Sequence, residues 1–491
     1  MFRIFGLSYN KIRMVAPAIG GAFGDKLEVT VEPAAAVLSR MTGKPVKAEY
    51  NRKESILSTR VRHASVNYVK TGFMKDGTLK AVDFKVYTNT GAMRGYGSPR
   101  VYFGWQRQMQ KIADFLRMDM ADLQMKNMVD PDSCDPIFHK PHGNSRPKDC
   151  LKRALELIDY EACLKEQEAT RNQDIRIGVG LALGVHGNNC VGAHRDVSTP
   201  MLKMNEDGSC IYYTGSHDMG TDTLGMQMQI VSEVLGISMD RIDCLAADTD
   251  VVHWHIGDYS SRGVFVAGSA AKKTAEAMKR ELQVEAAKLL ETEPDDIELH
   301  HDRAWSRKNE EKNASLHDVM VHCQSVSMRE LMVAETYEAK RGATSYGVHI
   351  AKVEVNTLTG EVRPLEYAAV HDIGRAINPL MLKGQLAGAI QMGLGYGLCE
   401  DMAYDGEGKP LVQTLKKYKV LRASQMPKLY MDFVETPQGE PDGPYGAKAL
   451  GECPVVPAAP AVVNAICNAV RGEINELPAR PDRVLAALGD K

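Results

Sequence analysis

Gly443-Pro444-Tyr445-Gly446-Ala447-Lys448-Ala449-Leu450-Gly451-Glu452 places a lone carboxylate behind a glycine-rich loop and ahead of an apolar run, Pro454 to Val463. Such a loop exposes backbone N–H groups that can hold an anionic ligand, and a carboxylate just beyond it can act as a base on what the ligand presents. The same letters also read as the start of a helix, with glycine and proline as punctuation and Glu452 favouring the positive N-terminal end. The choice between the two readings rests on the rest of the chain.

Four further segments accompany it in order. They are Gly20-Gly21-Ala22-Phe23-Gly24-Asp25-Lys26, Met93-Arg94-Gly95-Tyr96-Gly97-Ser98-Pro99, Asp218-Met219-Gly220-Thr221-Asp222-Thr223, and His371-Asp372-Ile373-Gly374-Arg375-Ala376-Ile377-Asn378-Pro379 running on to Gln391. Each has a plain alternative: a turn at Gly20–Gly24, a surface arginine at Arg94. Gly20–Lys26 is no Walker loop, because Asp25 and Leu27 stand where Gly and Ser or Thr are needed around the lysine. Gly393-Leu394-Gly395-Tyr396-Gly397 lacks the spacing of a dinucleotide fingerprint.

Together with Gly443–Glu452, these segments resemble the molybdenum hydroxylases, the family of xanthine dehydrogenase, aldehyde oxidase and 4-hydroxybenzoyl-CoA reductase. The resemblance runs along essentially the whole chain. It implies an α+β, two-lobed molybdenum-cofactor-binding fold, here divided as 1–165 and 166–491. By this resemblance Glu452 is the catalytic base, Arg94 lies beside the molybdenum centre, and Tyr96 stands against the substrate ring. The cofactor contacts it implies are Gly21, Phe23, Gly24, Gly220, Ser261, Ala270, Gln391, Gly446, Ala447 and Lys448. Molybdenum would be held by the pterin dithiolene and by no protein side chain, with the cytosine dinucleotide form of the pterin left open. The implied reaction is hydroxylation of an electron-poor carbon in a purine-like N-heterocycle or an aldehyde, with water as oxygen donor. Electrons would leave through an iron–sulfur subunit carrying [2Fe–2S] and a separate FAD subunit.

The chain departs from the family in several places. Arg100 stands where Gln is usual, Thr221-Asp222 replaces Gln-Gly, and Leu27 occupies a position where purine oxidisers commonly carry glutamate. The span from Phe23 to Arg94 is short, and position one falls well inside the family's molybdenum subunit. This leads us to expect a further polypeptide supplying the front portion. The Asp258–Ala270 pattern keeps an aryl-CoA reductase open as an alternative, and the missing front keeps open a non-catalytic remnant that binds partners.

Composition sets bounds without choosing among these. At 491 residues the chain exceeds one ordinary core, and its 44% hydrophobic and 25% charged residues are those of a globular protein. A formal charge of −3 leaves no basic footprint for nucleic acid. No apolar run approaches a membrane span, and Met1–Met14 lacks the apolar centre of a secretory signal. Ten cysteines without a C-x-x-C pair argue against a zinc ribbon, an iron–sulfur cluster or a disulfide framework. A cytoplasmic chain is expected. His253-Trp254-His255 and His300-His301 have no second cluster at ligand spacing and read as solvated or core histidines.

Local signals predict a strand over Lys11–Ala16 and a helix from Pro33 to Thr42, closed by Gly43. They predict a hairpin of Val66–Phe73 and Thr78–Val86 turning at Lys75-Asp76-Gly77, then helices over Gln106–Met128 and Pro147 to about Ala169. The charged stretch Lys165–Arg176 reads as the domain boundary. Turns are expected at Asp207-Gly208 and Thr359-Gly360, and helices at Leu224–Leu235, Ala270–Leu290, Met381–Leu398 and Ala458–Val470.

Overall fold

The computed structural model describes residues 2–89, 91–131, 133–134 and 142–488. Its contacts form two compact units, each gathered from three segments: 1–21, 188–343 and 438–449 in the first, 22–187, 344–437 and 450–491 in the second. This interleaving differs from the single division expected between residues 165 and 166. The reason is packing across the supposed boundary. Cys163 and Leu164, in the helix Tyr160–Ala169, share one apolar cluster with Val179 and Leu181 of the strand Ile175–Gly187.

The second unit is built on a four-stranded sheet in the order Lys428–Glu435, Val362–Gly374, Thr344–Asn356, Ile175–Gly187. The first pair is parallel and the others antiparallel, with Gly347 opposite both His371 and Gly184. Side chains alternate across a strand, so each face buries its own cluster. Ala351, Val353, Val355, Tyr367 and Ala369 meet the helix Ala458–Val470, while Val348, Ile350, Ala368 and Val370 meet the helices Ser98–Leu116 and Pro147–Ile158.

Three glycines decide how closely Ala458–Val470 and the residues just before it approach. A Cβ on Gly178 would lie 2.0 Å from the Ala465 carbonyl oxygen, one on Gly180 2.1 Å from the Ala465 nitrogen, and one on Gly184 2.3 Å from Pro457 Cδ. Any larger residue would push the helix off the strand. Asn464 and Asn468 then donate to the carbonyls of Leu181 and Val179 at 2.9 and 2.7 Å. Among the described residues, Cys453–Val470 is long and apolar enough to cross a membrane, which corrects the expectation that no run reaches that length. It is 94% buried inside the fold.

Pro33 in the first turn and Gly43 as a left-handed cap delimit the helix Glu32–Thr42, and the hairpin Ser65–Phe73/Leu79–Thr88 turns where expected. Two predicted helices are each broken in two. Arg117 (φ 52°) separates Ser98–Leu116 from Met120–Asn127, and Asp159 (φ 50°) separates Pro147–Ile158 from Tyr160–Ala169. Neither break carries a glycine, the usual mark of a left-handed cap.

The first unit holds a four-stranded sheet, Met332–Ala334, Met201–Met204, Cys210–Thr214 and Ile242–Ala246, and a three-stranded one, Asn313–Ser315, Arg303–Ser306 and Ile297–His300. The helices Thr223–Leu235, Ser269–Leu290 and Leu316–Ser325 belong to it. The strand expected over Lys11–Ala16 reduces to one bridge, Val15 to Asp248, with Arg13 donating to the Asp248 carboxylate at 2.6 Å. Both units mix helices with largely antiparallel sheets, the α+β class expected.

Candidate active site

In the second unit Phe23 and Gly24 lead into the site. A Cβ on Gly24 (φ 111°) would lie 2.8 Å from Met93 Cα, so only glycine lets the two backbones meet. The Arg94 N–H donates to the Phe23 carbonyl at 2.8 Å, and Phe23, itself left-handed at φ 52°, remains 51% exposed. Arg94 is buried. Its Nε donates to the Gly451 carbonyl at 2.7 Å, and its Nη2 to the carbonyl and Oε1 of Gln385 at 3.2 and 3.1 Å.

The Gly95 N–H donates to Glu452 Oε1 at 3.0 Å. A side chain on Gly95 would strike Pro99 and Val455, which accounts for the glycine. His186 Nε2 lies 3.8 Å from Glu452 Oε2, and the Glu452 side chain is 19% exposed. Burial pushes the Arg94 guanidinium down to about 10 while Glu452 pulls it back up, so it remains a cation at neutral pH. Phe23, Arg94 and Glu452, far apart in sequence, are thus joined by hydrogen bonds within one unit. Tyr96 (φ 48°) is 61% exposed, its ring edge-on to His63 at 5.1 Å between centroids.

Gln391 donates to the Leu421 carbonyl at 3.0 Å. Of the two glutamines on the helix Pro379–Leu398, Gln385 is the one bonded to Arg94. His186 and Gln385 are the site neighbours that sequence reasoning did not select. His186 sits at the end of the strand Ile175–Gly187, between Val185 and Gly187 and opposite Ser345. Its ring meets a carboxylate more than 260 positions further along the chain, a long-range pairing that no local pattern announces.

The first unit offers mainly backbone. Ser260 and Ser261 are both left-handed, at φ 54°, and Arg262 that follows is right-handed. A left–right pair can turn successive N–H groups toward one concavity, a nest for anions, although here the Arg262 N–H donates to the Tyr259 carbonyl at 3.3 Å. The Arg262 side chain faces away from that role. It is fully buried, with Nε donating to Asp196 Oδ1 at 2.8 Å and Nη2 to the Val197 carbonyl at 2.6 Å. Burial pushes the Asp258 carboxyl up, but hydrogen bonds from His217 and His255 outweigh it and hold the group below the usual carboxylate range.

A Cβ on Gly220 (φ 86°) would meet no atom within 4 Å, and the Gly220 N–H donates to Asp218 Oδ1 at 2.8 Å. Ala270 is fully buried in the helix Ser269–Leu290, so its side chain presents no surface and can serve only as packing behind a wall. The loop of Gly446, Ala447 and Lys448 is folded tightly on itself. A Cβ on Gly439 would lie 2.4 Å from the Gly446 oxygen, and one on Gly443 2.0 Å from the Ala447 oxygen. Ala447 and Lys448 are each 2% exposed, and the Ala449 N–H donates to Asn188 Oδ1 at 3.0 Å.

Known proteins resemble the chain along most of its length. A family profile for the molybdopterin cofactor-binding domain matches residues 153–427, and a second profile of the same description matches residues 1–93. The chain is 28% identical to the xanthine dehydrogenase molybdenum-binding subunit of Escherichia coli O157:H7, over 97% of this chain and 69% of that protein. It is 27% identical to the probable hypoxanthine oxidase XdhD of Escherichia coli strain K12, over 99% of this chain and 55% of that one. Its fold matches reconstituted CO dehydrogenase from Oligotropha carboxidovorans with a TM-score of 0.90 at 23% identity, covering 99% of this chain and 68% of that one.

Proposed function

The chain belongs to the molybdopterin cofactor-binding family of molybdenum hydroxylases, and on that premise we propose that it hydroxylates an electron-poor carbon of an N-heterocycle or aldehyde with oxygen from water. The observation that carries this reading is the hydrogen bond from the Gly95 N–H to Glu452 beside the buried Arg94, which leaves the carboxylate partly accessible.

The donor set suits a pterin with its phosphate. The left–right turn at Ser261 has the form of a phosphate nest, while the closed Gly446–Lys448 loop would support the cofactor's surroundings from behind. In the first unit Gly21 and Gly220 would offer further contacts, with Ala270 as buried support, and in the second unit Phe23, Gly24 and Gln391 would do so. The cofactor supplies the two-electron chemistry when bound. The chain's residues do the rest. Glu452 accepts the proton of the water-derived nucleophile, and the Gly95 N–H keeps that carboxylate turned toward it. Arg94 ties the Glu452 turn to Gln385 through its guanidinium, and Tyr96 offers an exposed aromatic face on which a planar substrate can stack. Iron–sulfur and FAD partner subunits would take the electrons.

Xanthine and hypoxanthine appear in the names of the relatives, whereas Leu27 removes the carboxylate expected of a purine oxidiser, so we favour a planar heterocycle other than xanthine. Glu452→Gln in the molybdenum-loaded enzyme tests the reading. Turnover should fall by ~10²–10⁴-fold, the usual cost of losing a general base, with molybdenum content unchanged. A variant that is replete in metal and near-normal in turnover would refute the assignment.

A further inference from the structure

A cavity of about 1150 Å³ opens within the second unit, lined by the strand Ser65–Phe73, the first turns of Ser98–Leu116 and residues 392–404. Two arginines reach its wall without a carboxylate hydrogen-bonded to either among the described residues. Arg100 is 5% exposed, and neither its Nε nor its Nη1 has a hydrogen-bond partner. Arg62 lies over the Tyr396 ring at 4.9 Å and donates from Nη2 to the Arg94 carbonyl at 3.1 Å, but its Nη1 is unpartnered. His63, 8% exposed, lines the same space with Nδ1 unpartnered.

The carboxylates nearby attract Arg62 at longer range and leave Arg100 uncompensated. Glu400 accepts from the Tyr418 hydroxyl at 2.7 Å, and burial raises the Asp25 carboxyl to about 6, with its Oδ1 unbonded. Neither forms an ion pair with Arg62 or Arg100. Buried cations are ordinarily paired, and a guanidinium with free N–H groups at Nε and Nη1 can donate charge-assisted hydrogen bonds to the oxygens of a carboxylate or phosphate.

We propose that this cavity is an oxyanion site, in which a small carboxylate, phosphate or sulfate seats between Arg62 and Arg100 with His63 as a third donor. It stands apart from the hydroxylase reading, since neither arginine is assigned to Glu452 chemistry. It still adjoins that region, because Arg62 bonds the Arg94 carbonyl and His63 backs Tyr96. An occupied site would therefore bear on the wall that the substrate ring meets.

Thermal unfolding of the full chain with inorganic phosphate, sulfate or benzoate tests this, against sodium chloride at equal ionic strength. The unfolding midpoint should rise saturably with at least one of the three beyond the chloride control. A stronger response to benzoate would identify a carboxylate ligand, and a stronger response to phosphate a phosphoryl one. Arg100→Gln and Arg62→Gln should each weaken the apparent affinity by about tenfold or more, the scale of a lost charge-assisted hydrogen bond. Where Arg100→Gln does not fold, the less buried Arg62→Gln decides. No saturable rise in the wild-type chain overturns the proposal, and so does a rise that Arg62→Gln leaves unchanged.

Discussion

The two units build their candidate surfaces from different kinds of group. Around Glu452 the groups are side chains fixed by one another: Arg94 on Gly451 and Gln385, Gly95 on Glu452, His186 close by. Around Ser261 they are backbone N–H groups set by left-handed dihedrals, while the one large cation, Arg262, is committed to holding the loop. Side chains can be tuned for proton transfer, whereas backbone donors carry no titratable group and hold an anion across a wide pH range. A substitution near Glu452 should therefore change rate, and one near Ser261 should change shape.

The sharpest way to break this contrast is Asp196→Ala, which leaves the Arg262 guanidinium buried without its carboxylate. Stripping one partner from a buried pair costs about 3–5 kcal/mol. We expect amide exchange to accelerate around Ser261 and in the helix Ser269–Leu290, with the sheet containing Ile175–Gly187 still protected. Uniform loss of protection would show that the Ser261 loop is no separate element.

Next in size is Arg94→Met, which keeps a long apolar stem but none of the three hydrogen bonds. Misplacing a catalytic carboxylate by a fraction of its reach costs roughly 10²-fold in rate. Steady-state kinetics of the molybdenum-loaded variant should show this in kcat, with a small change in unfolding midpoint. A large fall in stability with kcat preserved would recast Arg94 as scaffolding.

The smallest expected effect is a pH dependence at Asp25. Its carboxyl titrates at about 6 in the folded chain, against about 3.9 when unfolded. Folding thus binds the proton more tightly, so the stabilising contribution is complete below about pH 4 and is lost as pH rises through about 6. Asp25→Asn should raise the unfolding midpoint above pH 6 and leave it unchanged at the acid end. An equal gain at both ends would point to a packing effect instead.

Much of this architecture is legible in local sequence because it is written by local rules. Pro33 and Gly43 bracket their helix, Asp207-Gly208 and Thr359-Gly360 turn their hairpins, and four later helices lie within a few residues of expectation. The breaks at Arg117 and Asp159 escape because residues other than glycine adopt the left-handed conformation there. The interleaved units escape because strand partners are chosen by burial over long separations: Ile175–Gly187 pairs with Thr344–Asn356, not with anything adjacent in sequence. Glu452 and Arg94 are recognisable from their motifs, while His186 and the unpaired Arg62 and Arg100 emerge only from three-dimensional proximity.

Gly178, Gly180 and Gly184 bear on something beyond packing. Cys453–Val455 and the helix Ala458–Val470 follow Glu452 directly, and the strand face against them has been planed down to backbone. A rod bedded on a flat without clearance cannot rock about its long axis, and the stub at its foot inherits that stillness. If Glu452 is the base proposed above, it would start each proton transfer already in place, so little of the barrier would go into moving the acceptor.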